Sequence, residues 1–521
     1  MTQPQDDGSA IRARLSGGFL VIKNAFIVIG AQGIIALMGL VAVPVLVNRL
    51  GADKFGIIAL AWVVIGYASV LDLGLGRALT KVTADRLGAG RPDEIPKLFW
   101  TAAVLLSGMG IVVGGIVVAL SGPLTSSVLD IPGDLTGQAQ TTFALLGCTI
   151  PFVLLSTAFA GSLEARQRFD LTNGLAIPLS FLSYFGPVAL SFFTTSLPIV
   201  ISAVCLSRVC ATIIYFFLCL RVDSSLRQER KPQRALVGTL LSYGGWVTVA
   251  AVVVGAMLAI DRFVIGAILG TTEVAFYATP FEASQQLLLI SGAFANVLFP
   301  GFAANVGRDR VRTENLFSRG ARGTIIGLFP LALIASVLSY EILNLWINHS
   351  FAVRGGPVLE VLSAGVLVNG LAFVAFALIQ STRPDIIAKV ALVEIVLYVG
   401  GLWALLKLDG IEGAAFAFSL RALADTAALY YFTHRLGLIR TESILKVIRM
   451  AIPCIVLIAL GALLPSTVTR IAYLFVVILG FIPIAWLKII EPNERERLTE
   501  RLHQLREAAR MRFKNSAPGA A

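Results

Sequence analysis

The chain has 521 residues, of which 57% are hydrophobic and only 14% charged, with a mean hydropathy of +0.83. A water-soluble chain of this length would divide into roughly two to four charged-surface domains, so the composition points to lipid as the solvent. The formal net charge of +11 suggests nucleic acid at first sight, but the basic residues are scattered through short connections between apolar stretches, which argues against a nucleic-acid-binding face.

A bilayer core of roughly 30 Å needs about 20 mostly apolar residues per helix, and stretches of that length recur from Phe19 almost to Lys488. The pattern predicts an all-α, polytopic membrane protein with about fourteen transmembrane helices. A cytoplasmic tail, 1–18, precedes six spans over 19–220. A cytoplasmic linker, 221–235, leads to six more over 236–434, and helices thirteen and fourteen fill 435–490. In the last segment, 491–521, Leu498, Leu502, Leu505, Ala509 and Phe513 fall near one helical face among many Arg and Glu, which predicts an amphipathic cytoplasmic tail. The first apolar stretch is too long for a signal-peptide core, lacks a small-residue cleavage site and is followed by further spans, so it reads as span one. No connection approaches the ~100 residues of a catalytic domain. Cys148, Cys205, Cys210, Cys219 and Cys454 all fall inside spans with no CxxC pair, and they read as packing residues.

Orientation follows from charge. Most of the 42 lysines and arginines fall in the two tails and in alternate connections, whereas the opposite connections carry only Arg49, Lys54, Arg354, Lys407 and Arg470. The positive-inside rule places both termini in the cytoplasm. A missed helix would flip every later loop, so the regularity also supports the span count.

An internal repeat is visible. Leu50-Gly51 closes span one and Leu269-Gly270 closes span seven, and each is followed by an aromatic start, Phe55-Gly56 and Phe276-Tyr277. Each second span then runs into a basic connector, Arg77 to Lys97 and Arg308 to Arg322. Six spans per copy is an even number, so both copies enter the membrane in the same direction. The implied arrangement is two six-helix bundles related by a pseudo-two-fold along the membrane normal, with two C-terminal helices appended.

Ionisable residues at bilayer depth are expensive and face a partner or a wet cavity. Asp261 and Arg262 are adjacent, so they point about 100° apart on a helix and each needs its own partner. Arg262 is the first choice for a cavity-facing cation. Lys23 either faces the cavity or snorkels to the cytoplasmic headgroups, and Arg77 marks the cytoplasmic end of its helix. Arg421 and Asp425, four apart, are placed to neutralise each other. Glu282 and Glu394 read either as ion-coupling groups or as hydrogen-bonded structural carboxyls.

Other chemistries are missing. There is no GxxxxGK[ST] phosphate loop, and His349, His434 and His503 lie in loops or the tail, so neither a zinc protease motif nor a histidine relay is present. No cofactor or metal is expected. The span pair around Ser121 to Ala139 carries only Asp130 and Asp134 as charges, too little for the external loop of a glycan polymerase or ligase.

The segments Leu50-Gly51-Ala52-Asp53-Lys54-Phe55-Gly56 and Leu71-Asp72-Leu73-Gly74-Leu75-Gly76-Arg77-Ala78-Leu79-Thr80-Lys81 resemble the start of polysaccharide-biosynthesis flippases, the O-antigen flippase-like branch of the multidrug/oligosaccharidyl-lipid/polysaccharide exporter superfamily. Leu269-Gly270-Thr271, Phe276-Tyr277-Ala278 and Phe299-Pro300 extend the likeness into the second copy. Phe276 departs from the glycine that many relatives carry before the aromatic residue. The resemblance implies a non-enzymatic transporter that flips an undecaprenyl-diphosphate-linked oligosaccharide across the bacterial inner membrane by alternating access, through a cavity lined by spans one, two, seven and eight. It implies as partners the lipid-linked oligosaccharide, membrane lipids, and the glycosyltransferases and polymerase of the same pathway. Such a substrate is a dianion, so Lys23, Arg49 and Arg262 are the substrate-binding candidates, with Asp72, Asp261 and Glu282 as charge-balancing or ion-coupling groups. A multidrug or cation antiporter of the same superfamily is the alternative, and it would favour an acidic cavity; a membrane-embedded glycan polymerase or ligase is the third reading.

Overall fold

The computed structural model describes residues 18–68, 75–228, 231–489 and 495. Among them it is all helix. The first half holds α1 (Gly18–Leu50), α2 (Ala52–Ala68), α3 (Leu75–Gly88), α4 (Ile95–Pro123), α5 (Thr136–Ala165), α6 (Phe169–Ser191) and α7 (Leu197–Val222), followed by the single turn α8 (Ser225–Gln228). The second half holds α9 (Arg234–Ile268), α10 (Thr271–Asn305), α11 (Arg310–Val337), α12 (Ser339–Trp346), α13 (His349–Gln380) and α14 (Pro384–Arg435), then α15 (Thr441–Ala462) and α16 (Thr467–Ile484).

Ten stretches among the described residues are long and apolar enough to cross a membrane. About fourteen were predicted. The α14 stretch counts as one, yet its backbone leaves the helical region at Asp409 and Gly410, so it folds as two arms that each match one predicted span. Helix α2, 17 residues long, covers the first part of the predicted second span, and the polar α3 falls on the predicted basic connector. Helices α9 and α10, 35 residues each, coincide with the predicted seventh and eighth spans. The tail predicted over 491–521 lies outside the described residues except for Arg495.

Helix ends follow local chemistry. Gly51 (φ +83°) stops α1 and Gly270 (φ +90°) stops α9, each in the left-handed region that a side chain would disfavour, so both helices end by the same device. Asp309 caps α11 by accepting the Arg312 N–H at 2.9 Å. Ser466 and Thr469 form a capping box at the start of α16.

Within the first half, α5 packs against α4 and α7, and α6 packs against α1 and α7. In the second half α13 is the central helix, flanked by α10, α11 and α14. The appended pair α15–α16 is fastened by Arg470, which donates to Glu360 in α13 at 2.8 Å and to the carbonyls of Leu464 and Ala462. Both charges are largely out of solvent. Arg470→Ala leaves the Glu360 carboxylate buried without its cation, and the expected cost is about 3 kcal/mol. A lowered midpoint of thermal unfolding in detergent checks it, and an unchanged midpoint refutes it.

The two halves meet where α1 stops and α2 begins, and α9 also packs against α3 and α4. The Thr272 hydroxyl is hydrogen-bonded to the Asp53 carboxylate, 219 positions away. Asn48 donates to the Ile347 carbonyl at 3.1 Å and accepts from Asn348 at 2.7 Å, while the Trp346 indole N–H donates to the Leu40 carbonyl. The loop after α4 adds a further tie: the Asp130 N–H donates to the Gly266 carbonyl, and the Asp130 carbonyl accepts from the Thr271 N–H. At this end α2 runs so close to α10 that a Cβ built on Gly56 would stand 1.8 Å from the Thr271 carbonyl oxygen.

Candidate functional site

Behind this closed end lies a cavity of about 390 Å³ between the halves. Helices α1, α2 and α6 supply one wall and α9 and α10 the other, with Trp346 at the edge. Much of the lining is Ala and Gly, which keeps the space open, and aromatic side chains frame it: Trp62 meets Tyr184 edge to face at 5.6 Å and Phe55 at 6.0 Å.

Arg262 is the cation of this cavity. Its residue is 6% exposed, and its Nη2 donates to Glu282 Oε1 at 2.5 Å. The Glu282 side chain is 55% exposed, so one partner of the pair is sunk in the wall while the other faces the open space. The guanidinium also lies over the Phe281 ring, 4.9 Å from its centre. Asp261, fully buried, accepts the Arg262 backbone N–H at 2.8 Å and the Tyr277 hydroxyl at 2.9 Å. Adjacent on the helix, Asp261 and Arg262 thus take separate side-chain partners, as their spacing requires. Two hydrogen bonds hold the aspartate beside the guanidinium, and the Arg262 head group meets Glu282 at the cavity.

Of the remaining predicted site residues, Arg49 has a described side chain. Arg49 does not line the cavity; it is exposed at the closed end and stacks over Phe192 at 4.1 Å. Lys23 belongs to α1, but its side chain lies outside the described residues, and so does Asp72 altogether. The Arg421–Asp425 pair expected from spacing is not the one that forms: Arg421 reaches across the α14 hairpin to Glu394 at 3.3 Å. The tertiary contact wins because the opposing arm brings a carboxylate to the guanidinium from a second helix.

Sequence reasoning missed Trp62, Tyr184 and Gln286 in the cavity wall and Tyr277 behind it. An aromatic or amide on an apolar helix carries no signal that separates a cavity wall from ordinary packing. Glu360, the partner of Arg470, was missed as well; a carboxylate near the start of an apolar span is the signal that could have found it.

A cavity between two helical halves, with a buried guanidinium and an exposed counter-ion in its wall, suits a carrier. The sequence profile of the family described as polysaccharide biosynthesis protein matches residues 21–306. The chain belongs to that family. It shares 24% identity over 422 residues with a candidate O-antigen transporter of Shigella flexneri, covering 80% of this chain and 98% of that one. The fold is that of the multidrug/oligosaccharidyl-lipid/polysaccharide exporter superfamily. An inward-facing multidrug resistance MATE family transporter superposes with a TM-score of 0.67 at 14% identity, covering 77% of this chain and 94% of that one. The lipid II flippase MurJ in an inward closed conformation gives 0.65 at 13% identity, covering 88% and 99%. This family member is a multi-pass membrane transporter rather than an enzyme.

Proposed function

We propose that this chain flips an undecaprenyl-diphosphate-linked oligosaccharide from the inner to the outer leaflet of a bacterial inner membrane by alternating access. The observation that carries the reading is the Arg262–Glu282 pair, a buried cation whose counter-ion faces the cavity. A diphosphate entering the space competes with Glu282 for the guanidinium, with two charge-assisted bonds against one. The aromatic side chains around it suit the faces of sugar rings, and the small residues leave room for them.

The proposed architecture is fourteen spans in two six-helix bundles plus an appended pair. Support comes from Asp53 and Thr272: their separation of 219 positions is also the offset between Gly51 and Gly270, and a residue that touches its own counterpart stands beside the symmetry axis. With both termini cytoplasmic, as the basic connections indicate, the closed end carrying Asp53 and Thr272 is the outer one.

Reconstitution tests the proposal. Proteoliposomes containing the chain and a fluorescent lipid-diphosphate oligosaccharide are expected to expose the label to an external quencher or glycosidase, and empty vesicles are not. Failure of several glycans to move, together with drug resistance conferred on a sensitive host, would instead establish the antiporter reading, for which the cavity-facing Glu282 is the acidic group.

A further inference from the structure

A second cavity, of about 610 Å³, lies between the two arms of α14, away from the closed end and from the Arg262 cavity. Its walls are lipid-facing: Val393, Leu397 and Leu420 are all exposed large hydrophobics. Its floor is charged. Arg421 and Glu394, with side chains 10% and 11% exposed, form the ion pair at 3.3 Å, and Asp425 lines the same space one turn beyond Arg421.

Among the described residues Asp425 has no hydrogen-bond partner for its carboxylate. The floor therefore sets two carboxylates against one guanidinium at bilayer depth, where an uncompensated charge is costly. Tyr398 adds an independent observation. It is 4% exposed, it lines this cavity, and its hydroxyl makes no hydrogen bond. A buried hydroxyl with both donor and acceptor capacity unused is a group waiting for a partner that is absent from the ground arrangement. The Arg421 Nε is likewise buried without a partner.

We propose that Glu394 and Asp425 bind one proton between them, making this crevice a proton site separate from the substrate cavity. The step balances: a carboxylate oxygen takes a proton from hydronium, an O–H bond forms, water leaves, and the net charge of the cluster goes from minus one to zero. The Tyr398 hydroxyl, within electrostatic reach of Glu394 and Arg421, is a nearby group with unused hydrogen-bonding capacity. The other charges facing the site are accounted for. Lys389 lines the mouth and is paired with Asp385, which Arg383 also holds. Asp261 and Arg262 of α9 act on the far side of Tyr398, which lies within electrostatic reach of both of them and of Arg421 and Glu394.

That position gives the site a consequence. Helix α9 packs along α14, so gain or loss of the proton alters the field at Arg262 through Tyr398 and biases its hold on an anion. This coupling rests on the transporter reading above; the proton site does not.

Dicyclohexylcarbodiimide reacts with protonated carboxyl groups in apolar surroundings, and it tests the site on the purified full-length chain in liposomes without any glycan. The expected result is an adduct on Glu394 or Asp425, located by peptide mass spectrometry, whose yield falls at least ~10-fold between about pH 5.5 and pH 8.5, a range in which an ordinary exposed carboxyl is already ionised. Tyr398→Phe, which keeps the ring packed, is expected to move the midpoint of that profile. Absence of an adduct at both positions, or a yield independent of pH, overturns the proposal. Protection by sodium at constant pH also overturns it, because the site then takes a cation in place of the proton. Labelling as expected with no glycan flipping would leave the proton site standing and sink the transport reading instead.

Discussion

Arg262→Ala is expected to abolish glycan export, by roughly 100-fold or more in initial flipping rate, while the chain still inserts at normal abundance. Removing the guanidinium deletes the charge-assisted bonds on which a phosphate would be held, each worth about 1.5–3 kcal/mol, and two of them account for an effect of that size. The fold should survive, because Asp261 keeps its bond from Tyr277 and from the backbone N–H at position 262, and Glu282 already faces the cavity. Arg262→Lys retains the charge but loses the planar two-pronged donor, so an intermediate rate is expected. The measurement is quencher access to a fluorescent lipid-linked sugar in proteoliposomes, paired with size-exclusion profiles of each variant. Wild-type rates in the alanine variant would remove Arg262 from the site.

The second large effect is expected at Gly56. Its α-hydrogen faces the Thr271 carbonyl so closely that a methyl group there would stand 1.8 Å from the oxygen. Both atoms are backbone or directly attached to it, so neither can swing aside and α2 must part from α10. Overpacking of this kind costs about 1–3 kcal/mol, which is enough to shift a two-state closure about 5- to 150-fold toward the open form. Gly56→Ala is expected to slow flipping at least ~10-fold and to expose the outer end. A cysteine in place of the fully buried Ala275, in a background with the native cysteines replaced by serine, reports the change. It should react with a membrane-impermeant maleimide from outside in the Gly56→Ala chain and stay protected otherwise. Equal protection in both chains would show that the contact is not the closure.

Both predictions rest on contacts between residues far apart in the chain, and this marks the boundary of what could be read early. The Gly51 and Gly270 stops were visible as a repeated Leu-Gly followed by an aromatic start, because a helix end is local chemistry. That those stops bring Asp53 against Thr272 was not visible, since any polar residue at a helix start reads as a cap. Arg262 stood out because a charge on an apolar helix is costly wherever it goes. Its partner was less obvious: Glu282 was one of several mid-span carboxylates, and only its position one helix away at 2.5 Å selects it.

Arg421 shows the limit from the other side. Spacing offered Asp425, four residues on, and the fold supplied Glu394 instead. Arg49 shows it again, since its place near the end of α1 suggested the substrate path and its side chain turns to Phe192.

By itself the sequence determined the solvent, the helical class and the identity of the few residues able to carry charge in lipid. These depend on hydropathy, periodicity and the cost of moving an ion out of water, all of which are summed along the chain. Only the tertiary structure decided which charges meet, which aromatic side chains frame the cavity and which end of the bundle is shut. Those outcomes depend on the rotation of each helix about its own axis, and nearly uniform apolar faces leave that rotation to be chosen by packing against neighbours.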